Sequence, residues 1–137
     1  VQDTPSSFNT PMGLSKIINN ELDETKDVFI AELGAKKIGE IKEVAELVQP
    51  TIGLITSIGM THMDSFLTID NILKTKYELI DALPPDGKAV FNYDNNYLKR
   101  LADKTIKEKY LYGLEDVSKL DVYAKDVSVN SDLSRFQ

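Results

Sequence analysis

The sequence predicts an α/β fold: a mostly parallel sheet flanked by helices, with the start of a small antiparallel side sheet at the C-terminal end. Two observations carry this expectation. Residues 28–33 and 51–58 are short, nearly continuous apolar runs, the pattern of parallel strands covered on both faces. Between and after them stand segments whose apolar residues recur at helical intervals. Strand and helix alternating in this way imply right-handed crossovers and helices laid on the faces of a parallel sheet.

Taken in order, residues 1–4 read as the end of a strand. Pro5-Ser6-Ser7-Phe8-Asn9-Thr10-Pro11 follows as a turn-rich loop. Thr10 before Pro11 is a helix start, with Thr10 as N-cap and Pro11 at the first helical position. Leu14, Ile17, Ile18 and Leu22 then mark a core-facing stripe. After a polar loop comes the strand 28–33, with Glu32 near its carboxyl end and Gly34 just beyond. Residues 38–48 read as a helix with Ile41, Val44, Ala45 and Val48 inward, stopped by Pro50. The strand 51–58 runs into a loop, 59–66, and then a helix, 69–83. Pro84-Pro85-Asp86-Gly87 is a turn. Residues 88–92 form a third strand, 97–104 a short helix and 109–113 a fourth strand. Residues 122–129 alternate valine with polar residues, the mark of an antiparallel edge strand or the start of a side sheet.

The chain has 137 residues, room for one compact domain with a core. Hydrophobic residues make up 42% and charged residues 28%, which excludes a disordered chain. The net charge of −6 comes without a basic stripe, so a nucleic-acid partner is not expected. The absence of cysteine excludes disulfides, thiolate zinc sites and cysteine nucleophiles, and fits a reducing compartment. No apolar run reaches the length of a membrane span. The chain opens without methionine and closes at Phe136-Gln137 within what reads as another strand, so the expectation is an excised domain.

In sheets of this type, ligands gather at the carboxyl ends of the strands. Glu32, the loop holding His62 (the single histidine), and Asn92–Asp94 all fall at such ends. Glu32 can be a solvent-facing edge residue, a salt-bridge partner, or a ligand for a hard cation such as Mg²⁺. His62 can be a hydrogen-bonded loop residue or a ligand, and Asp64 offers an alternative oxygen. Lys76 carries the strongest anomaly. With 69–83 as a helix, Ile69, Ile72, Leu73, Ile80 and Leu83 form one stripe, and Lys76 lies inside it, four residues after Ile72 and four before Ile80. Lys74 is turned away by roughly 200°, between Asp70 and Glu78, as part of a solvated ion-pair ladder. A lysine inside the stripe either snorkels or has its amine neutralised, in which case it can take up CO₂ as a carbamate. Gly34-Ala35-Lys36-Lys37-Ile38-Gly39 has glycines at phosphate-loop spacing, but Glu40-Ile41 stands where Lys-Ser/Thr is required, so it is a strand-to-helix joint. Ser57 and Ser65 lack a second histidine or a nucleophile elbow, which leaves serine-hydrolase chemistry without support.

These residues, taken together, resemble a family. Ala31-Glu32-Leu33-Gly34-Ala35 with Gly39-Glu40-Ile41, the run from Ile55 to Phe66, Ile72-Leu73-Lys74-Thr75-Lys76-Tyr77-Glu78-Leu79, and Phe91-Asn92-Tyr93-Asp94 are similar to the central ATP-binding domain of the Mur ligases. The likeness is greatest to the branch that adds D-alanyl-D-alanine, and it includes Ser7-Phe8-Asn9-Thr10-Pro11-Met12-Gly13-Leu14. The resemblance implies a P-loop NTPase-like fold and a cytoplasmic, monomeric, ATP- and Mg²⁺-dependent ligase of peptidoglycan precursor synthesis, and so of cell shape and division. Its substrates would be a UDP-MurNAc-tripeptide and D-Ala-D-Ala, joined through an acyl phosphate. It implies Glu32 and His62 as Mg²⁺-site residues, Lys76 as a carbamate reaching the same metal, Asn9 and Thr10 in a substrate-side loop, and Asn92 and Asp94 near the nucleotide. It further implies that residues 1–137 are a partial central domain, lacking an upstream phosphate loop and a C-terminal domain, and inactive alone. The sequence departs from the family's pattern at Asp64 (more often Glu), Leu67 (often Gly) and Ser57 (usually Asn). Two other identities remain open from the residues: a folylpolyglutamate synthase or cyanophycin-synthetase-like ligase of the same superfamily, and a non-catalytic α/β interaction domain.

Overall fold

The computed structural model describes residues 1–5, 8–23, 25–59, 63–129 and 134–135, so His62 lies outside the described residues. Along the chain run β1 (Gln2–Asp3), α1 (Pro11–Asn20), β2 (Phe29–Ile30), α2 (Glu40–Val48), β3 (Ile52–Ile55), α3 (Met63–Phe66) and α4 (Ile69–Asp81). Then come β4 (Lys88–Asn92), α5 (Asn96–Lys104), β5 (Lys109–Gly113), β6 (Val122–Tyr123), β7 (Ser128–Val129) and β8 (Ser134–Arg135). They gather into two compact units, residues 1–50 with 60–84 and residues 51–59 with 85–137.

The first unit is built on helices. Thr10 caps α1 as its sequence predicts: its hydroxyl accepts the Gly13 N–H at 3.3 Å and Pro11 opens the helix. Its core includes Leu14 and Ile17 from α1, Ile41, Val44 and Ala45 from α2, Phe66 from α3, Ile72, Leu79 and Ile80 from α4, and Leu83 beyond it. α1 packs on α2 and α2 on α4, and each side chain so buried contributes about 1.5–3 kcal/mol of transfer free energy. The buried stripe of α4 differs from the expected one. Leu79 joins it, and Thr75 is fully buried, its hydroxyl satisfied by the Asn71 carbonyl at 2.8 Å. Lys76 lies half-buried on the flank of that stripe, whereas Lys74 is exposed. β1 and β2 pair in parallel, Gln2 against Phe29.

The second unit carries a four-stranded parallel sheet in the order β3-β4-β5-β6. Leu54 lies against Val90, and Val90 against Tyr110. α5 packs on β4, burying Leu98 and Ala102, with Phe91 fully enclosed in the sheet. Asn95 caps α5 through the Tyr97 and Leu98 N–H groups. At the other end the Lys109 ammonium donates to the Ala102 and Thr105 carbonyls at 2.6 and 2.9 Å, which satisfies acceptors at the helix's negative pole.

Two strand expectations are corrected. The antiparallel edge strand expected over residues 122–129 is corrected, while the small antiparallel side sheet expected as its alternative is present. Val122 pairs in parallel with Tyr112, seated by the Asp121 carboxylate on the Leu111 N–H at 2.7 Å. Among the described residues, Ser128–Val129 makes the antiparallel pair, with Ser134–Arg135. Asp126, at a φ of 52°, turns the chain between the two. Nor are the first two apolar runs covered on both faces: Ile30, Ile52 and Leu54 are each at least half exposed. Alternation and apolarity report that a residue can be buried, not which element covers it.

Leu67, between α3 and α4, has a φ of 65° and is 75% exposed. A branched side chain in that region of backbone space costs about 1–2 kcal/mol, and its exposure returns little. Leu67→Gly is therefore expected to raise stability by about 0.5–1 kcal/mol, after the larger unfolded-state entropy of glycine is deducted. Urea unfolding checks this, and a lower midpoint for the variant would contradict it.

Candidate functional site

The joint between β2 and α2 positions the first unit's chemistry. Five of its backbone N–H groups, those of Glu32, Gly34, Lys36, Lys37 and Gly39, have acceptors. Glu32 N–H donates to the Thr4 hydroxyl at 3.2 Å, and Gly34 N–H to the Asn9 carbonyl at 2.9 Å. The Lys36 and Lys37 N–H groups both donate to the Glu40 carboxylate, at 2.6 and 3.1 Å. The Lys36 N–H is the largest cause holding the Glu40 carboxyl below the usual carboxylate range. Gly34 is required by close approach: a Cβ there would lie 2.9 Å from Asn9 Cγ. Asn9 is thus fastened to the loop that presents Glu32, while Thr10 is occupied in capping α1.

Glu32 stands exposed just past β2, not within it. Its carboxylate acts on Lys76. Burial pushes the Lys76 amine below its ordinary range, and the charge of Glu32 pulls it partly back. A neutral primary amine is a nucleophile, and a nearby carboxylate is a hard oxygen donor. Among the described residues, no group of three His, Cys, Asp or Glu side chains is placed to hold a metal. Asp64 is exposed in the four-residue helix α3. The structure therefore fastens Asn9 to the loop that carries Glu32, and places the Glu32 charge where it acts on Lys76.

One residue plays a different part from its sequence reading. Glu78 does not serve an ion-pair ladder with Lys74; its carboxylate accepts the Gly39 and Lys42 N–H groups. The available signal was Gly39, a helix start with no side chain to cap it.

In the second unit, Asn92 and Asp94 stand at the carboxyl end of β4 and bond to its neighbours. The Asn92 amide donates to the Thr56 carbonyl at 3.0 Å and accepts the Asp94 N–H at 3.1 Å. The Asp94 carboxylate accepts the Leu114 and Glu115 N–H groups at 2.6 and 3.1 Å. Asn95, which sequence reasoning did not single out, donates to the Ile58 carbonyl at 2.9 Å. These side chains tie the ends of β3, β4 and β5 together. Gly113 makes room for the clasp, since a Cβ there would lie 2.7 Å from Asp94 Cγ.

The profile of a family described as the Mur ligase middle domain matches residues 1–137. The chain is 34% identical over 116 residues to the UDP-N-acetylmuramoyl-tripeptide--D-alanyl-D-alanine ligase of Synechocystis sp., covering 84% of this chain and 25% of that protein. It is 30% identical over 126 residues to the enzyme of the same name from Mycobacterium bovis, covering 92% of this chain and 24% of the other. The chain thus spans about a quarter of the length of these relatives. A crystal structure of MurF from Acinetobacter baumannii superposes with a TM-score of 0.86 at 24% identity, over 98% of this chain and 29% of that one. MurF ligase from Thermotoga maritima, solved in complex with ADP, gives 0.83 at 22% identity, over 98% and 30%. At these identities the structural likeness carries the fold.

Two outcomes follow from the geometry. Glu32→Gln removes the charge that favours the Lys76 ammonium, so the amine's titration midpoint, followed by NMR, is expected to move to lower pH; a midpoint that stays or rises would show that Glu32 does not act on it. Gly113→Ala forces the Asp94 carboxylate off its two N–H donors and is expected to cost about 2 kcal/mol. Denaturant unfolding should show a smaller cost in an Asp94→Ala background, where the obstructing carboxylate is gone.

Proposed function

Because the chain belongs to the Mur ligase middle domain family, we propose that it is the central part of an ATP-dependent ligase that adds D-Ala-D-Ala to a UDP-MurNAc-tripeptide, a cytoplasmic step of peptidoglycan precursor synthesis. The names of the relatives at 30% identity or more support this choice of branch over the folate- and cyanophycin-type ligases. In the reaction, the substrate carboxylate takes the γ-phosphoryl group of ATP, giving an acyl phosphate and ADP. The amine of D-Ala-D-Ala then attacks the acyl carbon, the C–O bond to phosphate breaks, and the amine's proton passes to solvent.

The observation that carries the reading is Lys76. Its amine is half-buried and held below the ordinary lysine range by burial, with the Glu32 carboxylate acting on it. A larger neutral fraction lets the nitrogen attack CO₂; the product is a carbamate anion, with one proton lost to solvent. A lysine that would be a misplaced cation thereby becomes a two-oxygen anion beside Glu32. Glu32 and a Lys76 carbamate would supply hard oxygen donors of the kind that suit Mg²⁺, with His62 proposed as the third residue of the site. When bound, the metal would neutralise charge on the transferring phosphoryl group. Asn9, held by its carbonyl to the Glu32 loop, faces the substrate side in this reading, with Thr10 beside it. Asn92 and Asp94 are assigned to the nucleotide side, on the rigid clasp that joins three strand ends.

Lys76→Arg keeps a positive charge but cannot form the carbamate. In the full-length ligase carrying this chain it is expected to lower turnover about 100-fold, the scale of losing one preorganised electrostatic group. Phosphate release with UDP-MurNAc-tripeptide, D-Ala-D-Ala and ATP measures this. In parallel, ¹³C-bicarbonate should give a carbamate resonance in the parent protein that the variant lacks. Full activity in the variant, or no ATP-dependent amide formation by the parent, would overturn the reading.

A further inference from the structure

We infer that Glu78 is a positioning residue: through the first turn of α2 it fixes the loop bearing Glu32 relative to Lys76. The inference rests on the functional reading above and extends it to a residue outside the site.

The starting point is the first turn of α2. Its N-cap is Gly39, with a φ of 94° and no side-chain cap of its own. An ordinary capping residue sits in the extended region of backbone space, so serine, threonine or aspartate cannot take this place without strain. Two N–H groups would then lack acceptors, those of Gly39 at the N-cap and Lys42 at the third helical position. These are the two donors that a capping box satisfies with two side chains from one helix. Here one carboxylate from another helix satisfies both: Glu78 Oε1 accepts Gly39 N–H at 2.7 Å, and Oε2 accepts Lys42 N–H at 3.0 Å. The contact is charge-assisted and lies at the positive pole of α2.

With Glu78 in that role, Glu40 is free to reach backwards, where its carboxylate takes the Lys36 and Lys37 N–H groups. A set of hydrogen bonds therefore runs from α4 through the start of α2 to Lys36, four residues beyond Glu32 in the same loop. Lys76 leaves the same helix two residues before Glu78, rotated from it by roughly 200°. Glu78 thus acts on the site only through the loop. Its effect is to set the separation across which the Glu32 carboxylate meets the Lys76 side chain.

The test compares Glu78→Gln, Glu78→Asp and the core control Ile80→Val in the full-length ligase. Hydrogen–deuterium exchange of the 33–42 amides is read beside the magnesium chloride dependence of ATP-driven ligation. For Glu78→Gln we expect faster exchange confined to 33–42 and a half-saturating magnesium concentration raised about tenfold, the scale typical of residues that orient metal ligands. Glu78→Asp, which keeps the carboxylate, should recover part of both. Ile80→Val should lower the melting temperature without moving the magnesium dependence. Unchanged exchange at 33–42, or faster exchange with an unchanged magnesium dependence, would overturn the inference. If the parent protein forms no amide with ATP, the functional reading fails, and with it the catalytic part of this inference; the exchange data then still decide whether Glu78 holds the loop.

Discussion

A helix that starts on a glycine with φ of 94° leaves its first turn open, and closing that turn organises the first unit. The acceptor comes from α4, so two helices that already pack face to face are also locked along their axes. Apolar packing alone tolerates small slides, because dispersion changes little with register. A bidentate, charge-assisted contact does not, since its strength falls steeply with distance and angle. The joint from β2 inherits this rigidity. It has no regular secondary structure, yet Thr4, Asn9, Glu40 and Glu78 meet five of the N–H groups along it. Glu32 is therefore exposed at its side chain but anchored at its backbone.

The second unit solves a related problem by other means. Parallel strands end together, and their last carbonyls and the N–H groups beyond them need partners. Asn92, Asp94 and Asn95 supply them from one short segment, reaching sideways to Thr56, Ile58, Leu114 and Glu115. Gly113 leaves the space in which the Asp94 carboxylate sits. In each unit a glycine without a Cβ leaves room for a polar side chain beside a fastening bond: Gly34 beside Asn9, whose backbone carbonyl makes the bond, and Gly113 beside Asp94, whose carboxylate makes it.

Much of this was legible in the residues. The Thr10-Pro11 start of α1 follows from local chemistry, and β4 and β5 carry their patterns within their own length. Helical phase alone separated Lys76 from Lys74, since rotation about a helix axis needs no tertiary knowledge. What was not legible depends on partners distant in sequence. Glu78 reads as one more surface carboxylate until α2 is laid beside it. Thr75 reads as polar, although its hydroxyl turns back on the Asn71 carbonyl and lets it be buried. Ile52 and Leu54 read as core although they are exposed. The residues at 122–129 show alternation, which is the same for a parallel and an antiparallel neighbour, so the direction of β6 could not be read from it.

Leu67 has a consequence of another kind. This chain holds an exposed leucine there at a φ of 65°. Such a residue is compatible with a stable fold as long as enough folding margin remains to absorb its strain. While it persists, that margin is narrower. Substitutions elsewhere that a glycine-bearing relative would tolerate bring this chain closer to its threshold, so the effect of a mutation in one member of the family does not transfer unchanged to another. Position 67 is exposed and far in sequence from Glu32, yet it helps decide which future sequences remain reachable.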